Sequence, residues 1–233
     1  MVDLMQMFLV WHVAQCPPPP ERYTGSAFRE NSDCVLISTI DNPAWNIGIK
    51  LTNTNLAGAR MAPVKLDNGD DWIICHIIED EFTGIGDQYK LINILEYFHK
   101  LLQQAGLTPP VDTNATTDAT SHLAERLQEW YAAQCLDISD VPTGVQPWHD
   151  RYGLSIFCDS SRCWRVTFDI SGTNIENAYM EPIDLRNGED DWMTCEITTD
   201  AYGTTQFVGD GDPGKLLSIL ARFFELVENA KKA

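Results

Sequence analysis

Two short phrases hold most of the side chains that could do chemistry in this chain. NGDDWIIC spans residues 68–75 and NGEDDWMTC spans residues 187–195. Each sets an Asn-Gly pair, two or three carboxylates and a tryptophan side by side. Paired carboxylates can exchange protons with a substrate. They also attract guanidinium and ammonium groups, for which a neighbouring indole is an aromatic anchor. Asn-Gly supplies positive φ at little cost, so both phrases read as turns at the start of a strand. A turn open to water does not tune carboxylate pKa values, which leaves acid–base catalysis unsupported. What remains is a grip on a cationic partner surface, or, more plainly, a solvated hairpin turn whose tryptophan covers a sheet edge. The candidate partner contacts are Asp70, Asp71 and Trp72 together with Glu189, Asp190, Asp191 and Trp192. Asp210 and Asp212 of the later segment FVGDGD are expected to support them.

Other chemistries find less in the sequence. FTGIGD (82–87) and FVGDGD (207–212) precede helical patterns, and glycines before a helix can cradle phosphate. Here Asp87, Asp210 and Asp212 oppose an anion and no Lys follows at P-loop spacing, so a turn with acids complementing a helix dipole is the better reading. Cys75 and Cys195 fall on the apolar side of a strand pattern, where a thiol packs as a small hydrophobe. Cys16 and Cys135 end helices, where the dipole raises a thiol pKa. The five histidines show no ligand spacing for zinc. No catalytic residue, metal ligand or cofactor is expected.

The chain has 233 residues, of which 16 are basic and 34 acidic, for a net charge of −18. A field of that sign repels nucleic acid and anionic membranes and speeds association with basic partners, although solubility alone also accounts for it. No run of 18 apolar residues exists, so no membrane-spanning helix is expected. The apolar N-terminus MVDLMQMFLVWHVAQC lacks the basic start and small-residue cleavage site of a signal peptide. Seven cysteines without a C-x-x-C pair suit reduced thiols, and a cytoplasmic location follows as an expectation.

The elements that must position the two acidic phrases are written twice. Trp11, Gln15 and Cys16 match Trp130, Gln134 and Cys135 at an offset of 119, which also relates Trp45 to Trp164, Asn55 to Asn174 and Pro63 to Pro182. One extra acid carries Asp71-Trp72 to Asp191-Trp192, and five further residues carry Phe82 to Phe207 and Phe98 to Phe223. This is a tandem duplication. Each copy opens with a helix pattern (Leu4, Phe8, Trp11; Leu123, Leu127, Trp130, with Ser121 as N-cap) and closes with one (Leu91, Ile94, Leu95, Phe98; Leu216, Leu220, Phe223, Val227). Between them the period is two, as in Trp45, Ile47, Ile49 and Leu51. VLIST and LSIFC read as strands paired to these segments across the turns DNPA and DSSR. Short connections imply antiparallel pairing. The fold class expected is α+β, two tandem repeats, each an N-terminal helix, an antiparallel meander of about four strands and a C-terminal helix. The repeats are placed at residues 1–105 and 122–233, joined by a polar, Pro- and Thr-rich linker at 106–121. One strand face differs between copies: Thr194, Glu196 and Thr198 in the second stand where the first has Ile74, His76 and Ile78. An apolar sheet face is not left wet, so it is expected to pack on the other copy, another subunit or a partner.

The order of these motifs resembles the immunity protein 53 family of bacterial polymorphic toxin systems. The residues concerned are Trp130-Tyr131 and Cys135 ending a helix, Asp41-Asn42-Pro43-Ala44-Trp45, the Asp-Trp pairs, and the Phe-x-Gly-x-Gly segments before the final helices. The resemblance covers nearly the whole chain, once per copy, whereas family members commonly have a single unit. It implies a non-enzymatic antidote that binds a cognate toxin domain, with no nucleic-acid or membrane partner. A strongly acidic chain suits a basic, nucleic-acid-targeting toxin. The alternative is an acidic interaction or scaffold module with no toxin partner.

Overall fold

The computed structural model describes residues 3–15, 34–40, 43–107, 120, 122–135, 146–158, 163–188 and 191–231. Ser121, Cys16, Glu189, Asp190 and most of the turns DNPA and DSSR lie outside them, as does most of the segment read as a linker. The first half contains helix α1 (Leu4–Ala14), strands β1 (Val35–Ile40), β2 (Ala44–Lys50), β3 (Val64–Asn68), β4 (Asp71–Ile78) and β5 (Glu81–Asp87), then α2 (Leu91–Gln104). The second half has α3 (Leu123–Gln134), a 3-10 turn at Trp148–Asp150, β6 (Leu154–Cys158), β7 (Trp164–Asp169), β8 (Ile183–Arg186), β9 (Trp192–Thr199), β10 (Thr205–Gly211) and α4 (Leu216–Ala230). The class is α+β, with every strand pairing antiparallel.

All ten strands form one sheet in the order β3-β4-β5-β2-β1-β6-β7-β10-β9-β8. Each half contributes five strands rather than about four, and in neither is the order a plain meander, because β5 returns to pair with β2 and β10 with β7. The halves meet at β1 and β6, where Val35, Leu36, Ile37 and Ser38 stand opposite Cys158, Phe157, Ile156 and Ser155. This register maps onto itself when each residue is exchanged for the one 119 places away. Leu36 opposite Phe157 becomes Ser155 opposite Ser38. The join is therefore isologous, like the interface of a two-fold dimer.

The four helices among the described residues cover one face. Helices α2 and α4 carry a single apolar stripe and lie on β4–β5 and β9–β10 of their own halves. Helix α1 buries Leu4, Met5, Met7, Phe8, Leu9 and Trp11, more than one stripe, because it lies between α2 and α4. Asp3 caps it, its carboxylate accepting from the Gln6 N–H at 3.0 Å and, through its other oxygen, from the His122 N–H at 3.1 Å. His122, 119 residues from Asp3, sits just before α3 with φ 56. The two opening helices thus start against each other. Each then reaches into the other half: the His12 ring lies 4.7 Å from Trp164, and the Tyr131 ring lies 4.9 Å from Trp45. The Ile92 N–H at the start of α2 donates to Gln128 Oε1 of α3. One continuous core results.

FTGIGD and FVGDGD, expected as turns, are strands β5 and β10, and packing explains their glycines. A Cβ on Gly84 would lie 2.1 Å from Ile94 Cγ2, and one on Gly209 would lie 2.3 Å from Ile219 Cγ2. The closing helix of each half is pressed onto backbone, so only glycine fits beneath it. Gly84→Ala and Gly209→Ala should each destabilise the fold by about 1–3 kcal/mol through overpacking. Thermal denaturation checks this, with Ile94→Ala or Ile219→Ala in the same chain recovering part of the loss. An unchanged melting temperature would mean that the helices are free to move away.

Candidate partner-binding surface

In the first half, Gly69-Asp70 forms the two-residue loop between β3 and β4, with φ 79 at the glycine. Glycine at the first central position is the requirement of a type II′ hairpin. Asp70 at the tip is exposed. Asp71, the first residue of β4, forms an ion pair with Lys90, which precedes α2. Its counterpart Asp191 forms one with Lys215, which precedes α4, and also accepts from Asn187 Nδ2 at 3.1 Å. The hydrogen bond to Asp71 raises the Lys90 pKa against the opposing effect of burial, and the charge of Asp87 nearby adds to the rise. The hydrogen bond to Lys215, followed by that from Asn187, lowers the Asp191 carboxyl. Both carboxylates stay largely exposed, at 68% and 51% of their side-chain surface, so each pair tethers a turn to a helix start while contributing little to stability.

Trp72 and Trp192 are half-buried and alternate with the buried Ile73 and Met193, which places them on the sheet face away from the helices. Their backbone N–H groups each donate at 3.0 Å to a carboxylate, Asp87 for Trp72 and Asp212 for Trp192. Asp87 and Asp212 are 6% and 5% exposed, and their other oxygens accept from Tyr89 and Gly214, both at 2.8 Å. Asp212, expected to support partner contact, is thus placed inside, where it fastens the start of β9 to the turn before α4. Asp210 faces out but is matched by Arg165 across the strand pair, with Nε–Oδ1 at 2.7 Å and a second bond at 3.2 Å. Asp210 and Trp192 share an open cleft of about 600 Å³ with Arg165, Arg186 and Phe157.

The structure brings Asp70, Asp71 and Trp72 together at one corner, and Asp191 and Trp192 together at another. It does not bring the two groups together. Strands β4 and β9 stand second from opposite edges, seven strand spacings apart, which at about 4.8 Å each is roughly 34 Å. Because they run antiparallel, their acidic starts point to opposite ends of the sheet.

A second acidic turn is missed by sequence reasoning. Glu79 and Asp80 link β4 to β5 with φ 50 and 57, so both occupy the left-handed region of a type I′ hairpin. That turn favours Asn-Gly, and its signal in the sequence is only the short polar gap of three residues between the apolar Ile78 and Phe82 of the two hairpin arms. The second half has a longer loop here, Asp200 to Thr204.

Of the thiols read as unreactive, Cys75, Cys135 and Cys195 are buried. Burial raises Cys75, Cys135 and Cys195 from near 9 to about 12, and for Cys135 this, not the helix dipole, is the leading cause. Burial likewise pushes the Tyr131 phenol up. Among the described residues no group of three His, Cys, Asp or Glu is placed to hold a metal ion. No helix among them is long and apolar enough to cross a membrane.

These features define an antiparallel α+β protein with a helix-covered face, an open face and paired acidic corners. The family model for Immunity protein 53 matches the chain twice, over residues 23–103 and 124–228, and the chain belongs to that family. The second match takes in α3, whereas the first begins after α1. No curated protein and no solved structure matches the chain.

Asp212→Asn should cost about 1–3 kcal/mol by leaving the Trp192 or Gly214 N–H without its acceptor. Asp70→Asn, at an exposed tip, should stay within about 0.5 kcal/mol; urea denaturation separates the two. A thiol whose pKa is raised in the fold contributes stability in full below its ordinary value near 9, and that contribution is lost as pH rises toward 12. The urea midpoint should therefore fall between pH 9 and 12. At neutral pH the three thiols should react with iodoacetamide only as fast as the protein opens, and fast labelling of any of them in the native state would contradict their burial.

Proposed function

We propose that this chain is an immunity protein that neutralises a cognate toxin by binding it, and that the toxin is a basic, nucleic-acid-targeting enzyme. The observation that carries the reading is the double match to an immunity family in a chain of net charge −18 whose exposed Asp70 stands beside Trp72 at a sheet corner. Carboxylates facing a basic enzyme compete with its nucleic-acid substrate for the same cations and steer the encounter. Binding alone suffices for such an antidote, and it asks nothing of the buried thiols. The proposed contacts are Asp70, Asp71 and Trp72 at one corner and Asp191 and Trp192 at the other, together with Glu189 and Asp190, which lie outside the described residues. Asp210 is secondary because Arg165 already matches it, and Asp212 serves the fold.

The roughly 34 Å between corners bears on stoichiometry. A compact toxin domain has room for one corner, so the two corners act as alternative or separate grips rather than one continuous interface. The reading places the protein in the cytoplasm of the cell that carries the toxin gene.

The test uses the purified toxin domain encoded beside this chain's own gene, in stopped-flow association at several salt concentrations. Asp70→Asn combined with Glu189→Gln and Asp190→Asn should slow association by about 3- to 10-fold and flatten its salt dependence, with a smaller effect on dissociation. Unchanged kinetics would remove these acids from the site. No binding of the native chain would favour the interaction-module alternative.

A further inference from the structure

We infer that the open sheet face of the first half, centred on β4, is the surface on which the toxin domain docks, with an apolar patch of the partner covering Ile74, Ile78 and Ile85 and its basic rim meeting acidic turns at both ends of the strand. The inference rests on the immunity reading above and adds to it which half, which face and what partner chemistry.

The face can be read against an internal control. The two halves share one strand order, and register places Ile74 beside Ile85 just as it places Thr194 beside Asp210. At four equivalent positions the first half carries Ile74, His76, Ile78 and Ile85 where the second carries Thr194, Glu196, Thr198 and Asp210. The second half forms the same sheet with polar side chains there. The sheet therefore does not require isoleucine at these places. Nor do the isoleucines belong to the core: the strand neighbours Ile73 and Cys75 point to the helices and are buried, whereas Ile78 is 61% exposed and Ile74 and Ile85 are partly exposed. The other half does not cover them either, because among the described residues the halves meet edge to edge at β1 and β6 and every helix lies on the opposite face. Apolar side chains that neither the core nor the sheet needs mark a surface that something else covers.

Charge identifies the occupant. The apolar stripe on β4 runs from the end where Asp67 of β3 and Asp70 of the turn stand to the turn holding Glu79 and Asp80. With acids at both ends, a second copy laid face to face in either direction would set carboxylate against carboxylate. Nucleic acid and anionic membrane are repelled by the same groups. A protein surface with an apolar centre and a Lys- or Arg-rich rim matches both features, and apolar centre with polar rim is the usual anatomy of a specific interface.

The experiment is a calorimetric titration of the full chain with the purified toxin domain encoded beside its gene, with sedimentation of the chain alone in parallel. The variant Ile74→Thr with Ile78→Thr copies the second half's own side chains and so keeps a strand-compatible face. The control is Thr194→Ala with Thr198→Ala. The expected result is about tenfold or greater weakening for the isoleucine variant and less than about twofold for the control. Should the native chain bind and the isoleucine variant bind equally well, the docking face is wrong while the immunity reading stands. Should the native chain not bind at all, the immunity reading fails and takes this inference with it. A native dimer that Ile74→Thr with Ile78→Thr splits would make the second copy the occupant and overturn the proposal.

Discussion

The antiparallel pairing of β1 with β6 is the contact on which the rest of the molecule depends. Four residue pairs join two five-stranded halves into one sheet and leave neither with an unpaired central edge. The join also sets where the helices go. With β1 and β6 adjacent, α1 and α3 lie over the seam, each near enough to place a ring on the central tryptophan of the other half. An opening helix as apolar as α1 has no stable place on a single five-stranded half, which would leave part of it in water. It is stable here because two halves and two closing helices surround it.

The same seam sets which surfaces stay open. Among the described residues all helices lie on one face of the ten-stranded sheet. The pseudo-two-fold sends the acidic corners to opposite ends, so duplication of the phrase does not enlarge one site. It makes two separate corners. The carboxylates near those corners differ in what they are free to do. Asp87 and Asp212 are consumed in holding backbone N–H groups, Asp71 and Asp191 are half committed to lysines, and Asp70 is left at the tip. A count of acids in the sequence overstates the grip, because part of the acidity builds the turn that presents the rest.

Much of this was legible beforehand. The offset of 119, the strand alternation around Trp45 and Trp164 and the stripes of the closing helices are local patterns, and local patterns survive folding. What was not legible has a physical reason in each case. β3 and β8 are short edge strands with few apolar residues, so they carry little alternation to read. FTGIGD and FVGDGD were expected as turns because glycine is common in turns, whereas here it makes room for Ile94 and Ile219. The burial of Asp212 depends on a helix that folds back over it. The fusion of the repeats into one sheet depends on a pairing between residues more than a hundred apart, which no window of sequence contains.

The departures from symmetry are as informative as the symmetry itself. A duplicated sequence begins with two identical open faces, and the sheet constrains both equally. In the second half the face is closed upon itself by charge, Arg165 with Asp210 across the strand pair and, along the edge strand β8, Arg186 with Asp184. These paired charges are satisfied on the face itself. In the first half the position of Asp210 is taken by Ile85 and that of Arg165 by Asn46, so the cross-strand ion pair is gone and Ile74 stands beside Ile85 instead. Since the backbone, the helices beneath and the strand order are shared, the difference cannot be charged to folding. It is the difference on which the proposed docking of a partner to the first half rests.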